Sequence, residues 1–223
     1  MKKNDILNYF QARNNKIHTI QKRSRDDLGE NEVKNFEFLI EKIFKSKNLQ
    51  NKILDLGSGD KFLKKPFENR GYQYFDIDID TIDFNKDKIP FNDNTFDYVI
   101  CLAVIEHISN PIFFINEINR VLKIKGILFL STPNWTYSSK IFFDDYTHIR
   151  PYSKNTLERL LQDNNFENIN LIPGLRNKPF WMYKIPFAFY LASILPFTND
   201  NKIFPKFLKG KAKSIFAIAK KKP

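Results

Sequence analysis

The sequence predicts an α/β fold, a mostly parallel twisted sheet with helices on both faces. Three observations carry that expectation. Ile53-Leu54-Asp55-Leu56 is a short apolar run that passes at once into Gly57-Ser58-Gly59, the pattern of a buried strand entering a turn whose amides can approach a ligand. Further apolar runs follow at 72–78, which ends on an acid, at 96–102 and at 126–132. Between the last two lies a stretch of helical periodicity, so strands and helices alternate as a parallel sheet requires.

Each element has its own reason. Residues 4–24 read as a polar helix, and 31–47 as an amphipathic one that lays Phe36, Phe38, Leu39, Ile43 and Phe44 on the sheet. Residues 61–69 form a weak helix, interrupted by Pro66 and stopped by Gly71. Pro111 opens a strong helix over 111–123, with Phe114, Ile118, Val121 and Leu122 on one face. Ser153 is an N-cap for 153–164, where Leu157, Leu160 and Leu161 face inward. Strands at 169–172 and 214–219 close the sheet. A parallel crossover needs about a dozen residues or more, and only about three separate Asp78 from the next apolar position, Ile82. A strand there is expected to be missing, very short or non-parallel.

Asp55-Leu56-Gly57-Ser58-Gly59, the acid Asp78 and Ile89-Pro90-Phe91-Asn92-Asp93-Asn94-Thr95-Phe96-Asp97 occur in that order. They are followed by Glu106-His107-Ile108, Glu117-Ile118-Asn119-Arg120-Val121-Leu122-Lys123 and Leu130-Ser131-Thr132-Pro133-Asn134. Over roughly residues 50–170 this series resembles the class I S-adenosylmethionine-dependent methyltransferases of the type 11-like kind. The resemblance implies a Rossmann-like sheet with its last strand antiparallel and its third strand short or missing, and S-adenosylmethionine as cofactor. It places Asp55, Gly57, Ser58, Gly59 and Leu102 against the cofactor and Asp78 on the ribose hydroxyls. Asp83, Asn85 and Asp87 remain open for the adenine side. The third glycine of the family falls near Lys61, so either Lys replaces it or the loop is one residue shorter. A nicotinamide dehydrogenase fits less well, because Asp60, Lys61 and Phe62 follow Gly59 where a third glycine would open a full-length helix.

The 223 residues suit one methyltransferase domain: N-terminal helices over 1–49, a cofactor-binding core over 50–172, an insertion over 173–213 and a closing strand over 214–220. The single cysteine, Cys101, lies in an apolar run, which excludes a disulfide framework and suits core packing in a reducing compartment. The first residues show no long apolar signal region. Net charge is +11, and eight Lys fall between Lys202 and Lys222 with no acid among them. No nucleic-acid motif accompanies this charge, so solvation or contact with anionic lipid accounts for it better. The insertion carries an apolar segment over 185–197, too short for a bilayer core that takes about twenty residues. It is expected to cover the site, to form an interface or to lie on a membrane surface. The expected location is cytoplasmic, peripheral at the inner membrane surface, and the sequence specifies no oligomeric state.

A sulfonium methyl is already electrophilic, so the protein's task is to align an acceptor and exclude water, and no dedicated metal is required. A hydroxyl acceptor calls for a base. His107 lies at the carboxyl edge of the sheet beside Glu106, where catalysis and a structural hydrogen-bonding role weigh equally. His148 lies in Phe143-Asp144-Asp145-Tyr146-Thr147-His148-Ile149-Arg150-Pro151-Tyr152, which resembles the D-x-T-H-x-R-x-Y run of methyltransferases associated with bacterial surface-glycan assembly. Asp145, Tyr146, Arg150, Tyr152 and Asn134 are the acceptor-binding candidates. Asp144, Asp145 and His148 in one short loop are weak grounds for a metal site. His18 has no catalytic context. The first expectation is O-methylation of a bacterial glycan or lipid-linked glycan intermediate. The first alternative is a methyltransferase of a quinone, lipid or other small molecule, and the second is an inactive cofactor-binding scaffold.

Overall fold

The computed structural model describes residues 25–45, 51–173 and 212–223. The expected helix over 4–24 and the apolar and basic insertion, apart from its ends, lie outside the described residues. Helix α1 (Arg25–Phe44) is followed by β1 (Lys52–Leu56), a short α2 (Lys64–Glu68), β2 (Gln73–Ile77) and β3 (Phe96–Leu102). Then come α3 (Pro111–Val121), β4 (Leu122–Pro133), a single turn α4 (Trp135–Ser138), α5 (Lys154–Asp163), β5 (Phe166–Pro173) and β6 (Ser214–Lys221). The six strands pair in the order β2-β1-β3-β4-β6-β5. β1 to β4 are parallel neighbours, and β6 is antiparallel to both β4 and β5. This is the expected architecture, down to the antiparallel last strand.

The chain between Ile77 and Phe96 forms turns, so β2 is the sheet edge and the third strand of the family is absent among the described residues. What replaces it is a tight turn: the Asp83 amide donates to Asp87 Oδ2 at 2.8 Å, and the Asp87 amide donates back to the Asp83 carbonyl at 2.8 Å. Arg120 on α3 then ties the segment entering β3 to the body. Its guanidinium donates to the carbonyls of Ile89 and Phe91 and to the carboxylates of Asp93 and Glu117. The Arg120 hydrogen bond, helped by the Ile89 amide and the Arg120 charge, holds the Glu117 carboxyl below its ordinary range.

Two apolar layers sandwich the sheet. On one face Phe36 of α1 meets Phe67, Tyr98 and Phe129 edge to face, with centroids 5.3 to 5.5 Å apart. On the other, Phe114, Ile115 and Ile118 of α3 and Leu157 and Leu161 of α5 are buried against Leu54, Leu56 and Leu130. Helix α1 begins six residues before the expected Asn31 and contains Gly29. A Cβ at Gly29 would lie 2.2 Å from the Phe62 carbonyl oxygen, so this glycine lets α1 pack closely on the segment leading into α2. Arg70 reinforces that packing through Glu30 and Glu37 of α1, at 2.7 and 3.2 Å. Helix α3 stops two residues early because Leu122 already pairs with Phe96 as the first residue of β4, and the register then shifts before Ile127. The α2 helix is shorter than expected, its first three residues being turn.

Candidate active site

The parallel strands end together. Leu56 of β1 registers with Ile77 of β2 and Cys101 of β3, and Leu102 with Ser131 of β4, so the loops that follow share one carboxyl edge.

One half of that edge is made by main chain. Gly57 has a left-handed φ of +75° and donates its amide to the Ile77 carbonyl at 2.8 Å. A Cβ there would stand 2.2 Å from Val104 Cγ2, so the position has no room for a side chain. The Gly59 amide donates to Asp78 Oδ2 at 2.7 Å, and the Ile79 amide to Asp78 Oδ1 at 2.7 Å. Asp78 therefore welds the glycine turn to the end of β2. Lys61, near which the third family glycine falls, takes a left-handed φ of 57°, and its Nζ reaches Asp76 at 2.5 Å.

Beneath this turn Asp55 is buried and accepts a hydrogen bond from Tyr74 Oη at 2.6 Å. Burial pushes its carboxyl up to about 7, opposed by the Tyr74 bond and assisted by the nearby acids Asp76, Asp78 and Asp60. Burial also raises the Tyr74 hydroxyl, and the Asp55 charge adds to it. The Ser58 side chain is buried and its Oγ has no hydrogen-bond partner among the described residues. A buried orphan hydroxyl beside two glycine amides is a place where a polar ligand belongs.

The adenine-side candidates are placed differently. Asn85 Oδ1 accepts from the Ser109 amide and hydroxyl and the Asn110 amide, at 2.7, 2.8 and 3.2 Å. Its side chain thus braces the entry to α3. Asp83 accepts the Asn85 amide at 3.0 Å, which lowers its carboxyl pKa.

The other half of the edge is made by side chains. Glu106 and His107 lie in a 3-10 turn after β3, and residues 142–152 fold over it. The Glu106 carbonyl accepts the amides of Ile149 and Arg150 at 3.0 and 3.1 Å, which docks the second segment on the first. The Glu106 carboxylate is buried and accepts from Thr132 Oγ1 at 3.0 Å. His107 Nδ1 lies 3.0 Å from the Thr147 carbonyl and 3.0 Å from Thr147 Oγ1. His148 Nδ1 lies 2.6 Å from the Phe142 carbonyl, and its Nε2 lies 3.7 Å from Asp145 Oδ2. The two imidazoles are 4.8 Å apart between centroids.

So the structure joins His107 and His148, which the sequence presents as alternatives, into one cluster with Glu106. Asp145 accepts the Thr147 hydroxyl at 2.6 Å and belongs to the same network. Tyr146 is exposed on the rim, and exposed Arg150 reaches the Ser109 carbonyl at 3.3 Å. Asn134 and Tyr152 have other positions. Asn134 is buried, caps α4 through Thr136 and holds the Ala212 carbonyl, so its side chain is committed to the backbone. Tyr152 is buried under the cluster, its hydroxyl without a hydrogen-bond partner among the described residues and its pKa raised by burial. Thr132, Thr147 and Val104 are the partners a sequence reading misses. All three act through contacts with residues distant in the chain.

A family model described as a methyltransferase domain matches residues 30–171. The chain belongs to that family. The methyltransferase fold recurs in a SAM-dependent methyltransferase from Archaeoglobus fulgidus, with a TM-score of 0.57 and 18% identity over 89% of this chain and 95% of that one. In sequence the domain is similar to the ubiquinone biosynthesis O-methyltransferase of Pelagibacter ubique, 33% identical over 134 residues, 52% of this chain and 54% of that protein. The Rickettsia typhi protein of the same description is 34% identical over 126 residues, 48% of this chain and 51% of its own length. The chain spans about half the length of these curated relatives.

S-adenosylmethionine is the cofactor of this methyltransferase domain, and the residues present fit it. The side-chain-free turn at Gly57, the orphan Ser58 hydroxyl and the Asp78 carboxylate beside Gly59 form a polar cradle at the strand ends. Val104 joins the two halves, since it packs on Gly57 and lies two residues before Glu106.

Proposed function

We propose that this methyltransferase O-methylates a small hydroxylated acceptor of the quinol, phenol or lipid class, in preference to a glycan intermediate. The observation that carries the proposal is the run of exposed large apolar side chains in the segment that supplies His148 to the imidazole cluster. Tyr137, Ile141, Phe143, Tyr146 and Ile149 are all more than 40% exposed around the segment that holds His148. So many large apolar side chains in one exposed stretch favour a ligand with an apolar body. Similarity to the ubiquinone biosynthesis O-methyltransferases supports the same acceptor class.

When bound, S-adenosylmethionine supplies a methyl group on a sulfonium, which leaves as a neutral thioether. The protein's contributions are separate. Asp78, Gly57 and Gly59 hold and orient the cofactor, and the rim seats the apolar body of the acceptor. The cluster of Glu106, His107 and His148 faces the acceptor hydroxyl and promotes loss of its proton as the O–C bond forms and the C–S bond breaks. The inactive-scaffold alternative has no support in the altered glycine loop, because Lys61 keeps the backbone shape that a glycine would give.

The test is methyl transfer from labelled S-adenosylmethionine to a simple ortho-diphenol, the same diphenol bearing an alkyl chain, and a sugar nucleotide. The alkylated diphenol should be methylated with the highest kcat/KM. Transfer to the sugar nucleotide alone would overturn the proposal in favour of the glycan acceptor.

A further inference from the structure

We infer that Glu106, His107 and His148 bind a divalent first-row transition-metal ion that holds the acceptor oxygen. One ligating atom from each of the three residues lies within 4.8 Å of those of the other two. Donors around a four-coordinate ion at about 2.1 Å stand roughly 3.4 Å apart, so a modest inward movement of the three completes the first shell.

The second shell is what distinguishes this cluster from three neighbouring polar residues. A carbonyl oxygen only accepts, so the Thr147 carbonyl at 3.0 Å and the Phe142 carbonyl at 2.6 Å fix the proton of each ring on Nδ1. Each Nε2 is thereby left with its lone pair, the tautomer and the backing partner that metal-ligating histidines have. The third donor, Glu106, is a 1% exposed carboxylate oriented by Thr132 Oγ1. Buried carboxylates are paired or bind cations. Beside them Asp145 Oδ2 lies 3.7 Å from His148 Nε2, which places a second carboxylate next to the cluster.

Two imidazoles and one carboxylate suit zinc or iron(II) better than magnesium or calcium, which prefer oxygen ligands alone. Three protein ligands leave open positions, and a hydroxyl bound there loses its proton to water more readily before it attacks the methyl carbon. This revises the sequence expectation that no metal is needed. It rests on the proposed function only for the use of the ion, because binding is measured without cofactor or acceptor.

The full-length protein, dialysed against chelator, should develop visible ligand-field absorption on titration with Co2+ and bind one equivalent of Zn2+, but not Mg2+, by calorimetry. His107→Ala and His148→Ala should each weaken Zn2+ binding at least about a hundredfold, and Thr132→Val about tenfold. Thermal melts confirm that each variant is folded, and should Glu106→Gln fail to fold, Thr132→Val reports on that ligand instead. Absence of Co2+ absorption and of Zn2+ binding in the wild type, or binding that both histidine variants retain, overturns the inference. Methyl transfer that survives chelation undiminished overturns it too, while leaving the proposed function intact. Metal binding at the triad with no methylation of any diphenol would leave this site standing and sink the proposed function.

Discussion

At the cofactor half of the site, Gly59 reaches Asp78 through one main-chain amide across nineteen residues of sequence. At the acceptor half, His107 meets Thr147 across forty, and every chemically active atom is on a side chain. Backbone shape therefore governs the first half and side-chain orientation the second. Substitutions should divide accordingly: those near Gly57 alter fold and cofactor affinity together, and those near His148 alter transfer alone.

The largest effect is expected at Gly57. Gly57→Val places a β-branched residue at φ +75° with its Cβ 2.2 Å from Val104, so unfolding stability should drop by about 3 kcal/mol, with S-adenosylhomocysteine binding lost. Calorimetry and urea melts check both. The comparison sharpens in the double variant, since Val104→Ala in a Gly57→Ala background should restore part of the lost stability. Asp78→Ala removes the anchor of the Gly59 amide and should weaken S-adenosylhomocysteine about 10- to 100-fold, with turnover at saturating cofactor less affected.

Asp55 supplies a pH-dependent effect. Its folded carboxyl lies near 7, above the ordinary range near 4, so the folded protein holds a proton that the unfolded chain has released. The resulting stability is fully present below about pH 4 and is lost as pH rises through 7, by up to about 1.4 kcal/mol per pH unit. Asp55→Asn should flatten this slope, so that the variant gains on the wild type between pH 5 and pH 8 in urea melts of the cofactor-free protein. The smallest effect belongs to Asn85→Ala, which unseats Ser109 and Asn110 and should cost about 1 kcal/mol with little change in cofactor affinity. A large affinity loss there would make Asn85 a direct adenine contact.

The same division explains what a sequence reading reaches. Apolar runs locate β1, β3 and β4 because burial on both faces is written into nearly every residue of a central strand, whereas the edge strands β2 and β5 are only partly buried. The missing third strand is legible too, since chain length between Asp78 and Ile82 forbids a crossover. Gly57 and Gly59 are legible as turn glycines, because a strand entering a tight turn needs residues that tolerate positive φ, whereas Asp78 is singled out by the family resemblance. The start of α1 at Arg25 is not legible, as the Phe62 carbonyl on which Gly29 packs lies on another element. Asn134 and Tyr152 are found as site residues by motif, yet one caps a helix turn and the other is buried, because position in a motif does not specify which way a side chain turns. The union of His107 with His148 is created by the Glu106 carbonyl docking Ile149 and Arg150, a contact with no local signature.

The most direct test of the divided site is a paired measurement on His148→Ala: S-adenosylhomocysteine affinity by calorimetry and methyl transfer to the alkylated ortho-diphenol on the same preparation. The account predicts transfer reduced about a hundredfold or more with cofactor affinity within about twofold of wild type. Transfer at the wild-type rate, or affinity falling in step with transfer, would contradict it.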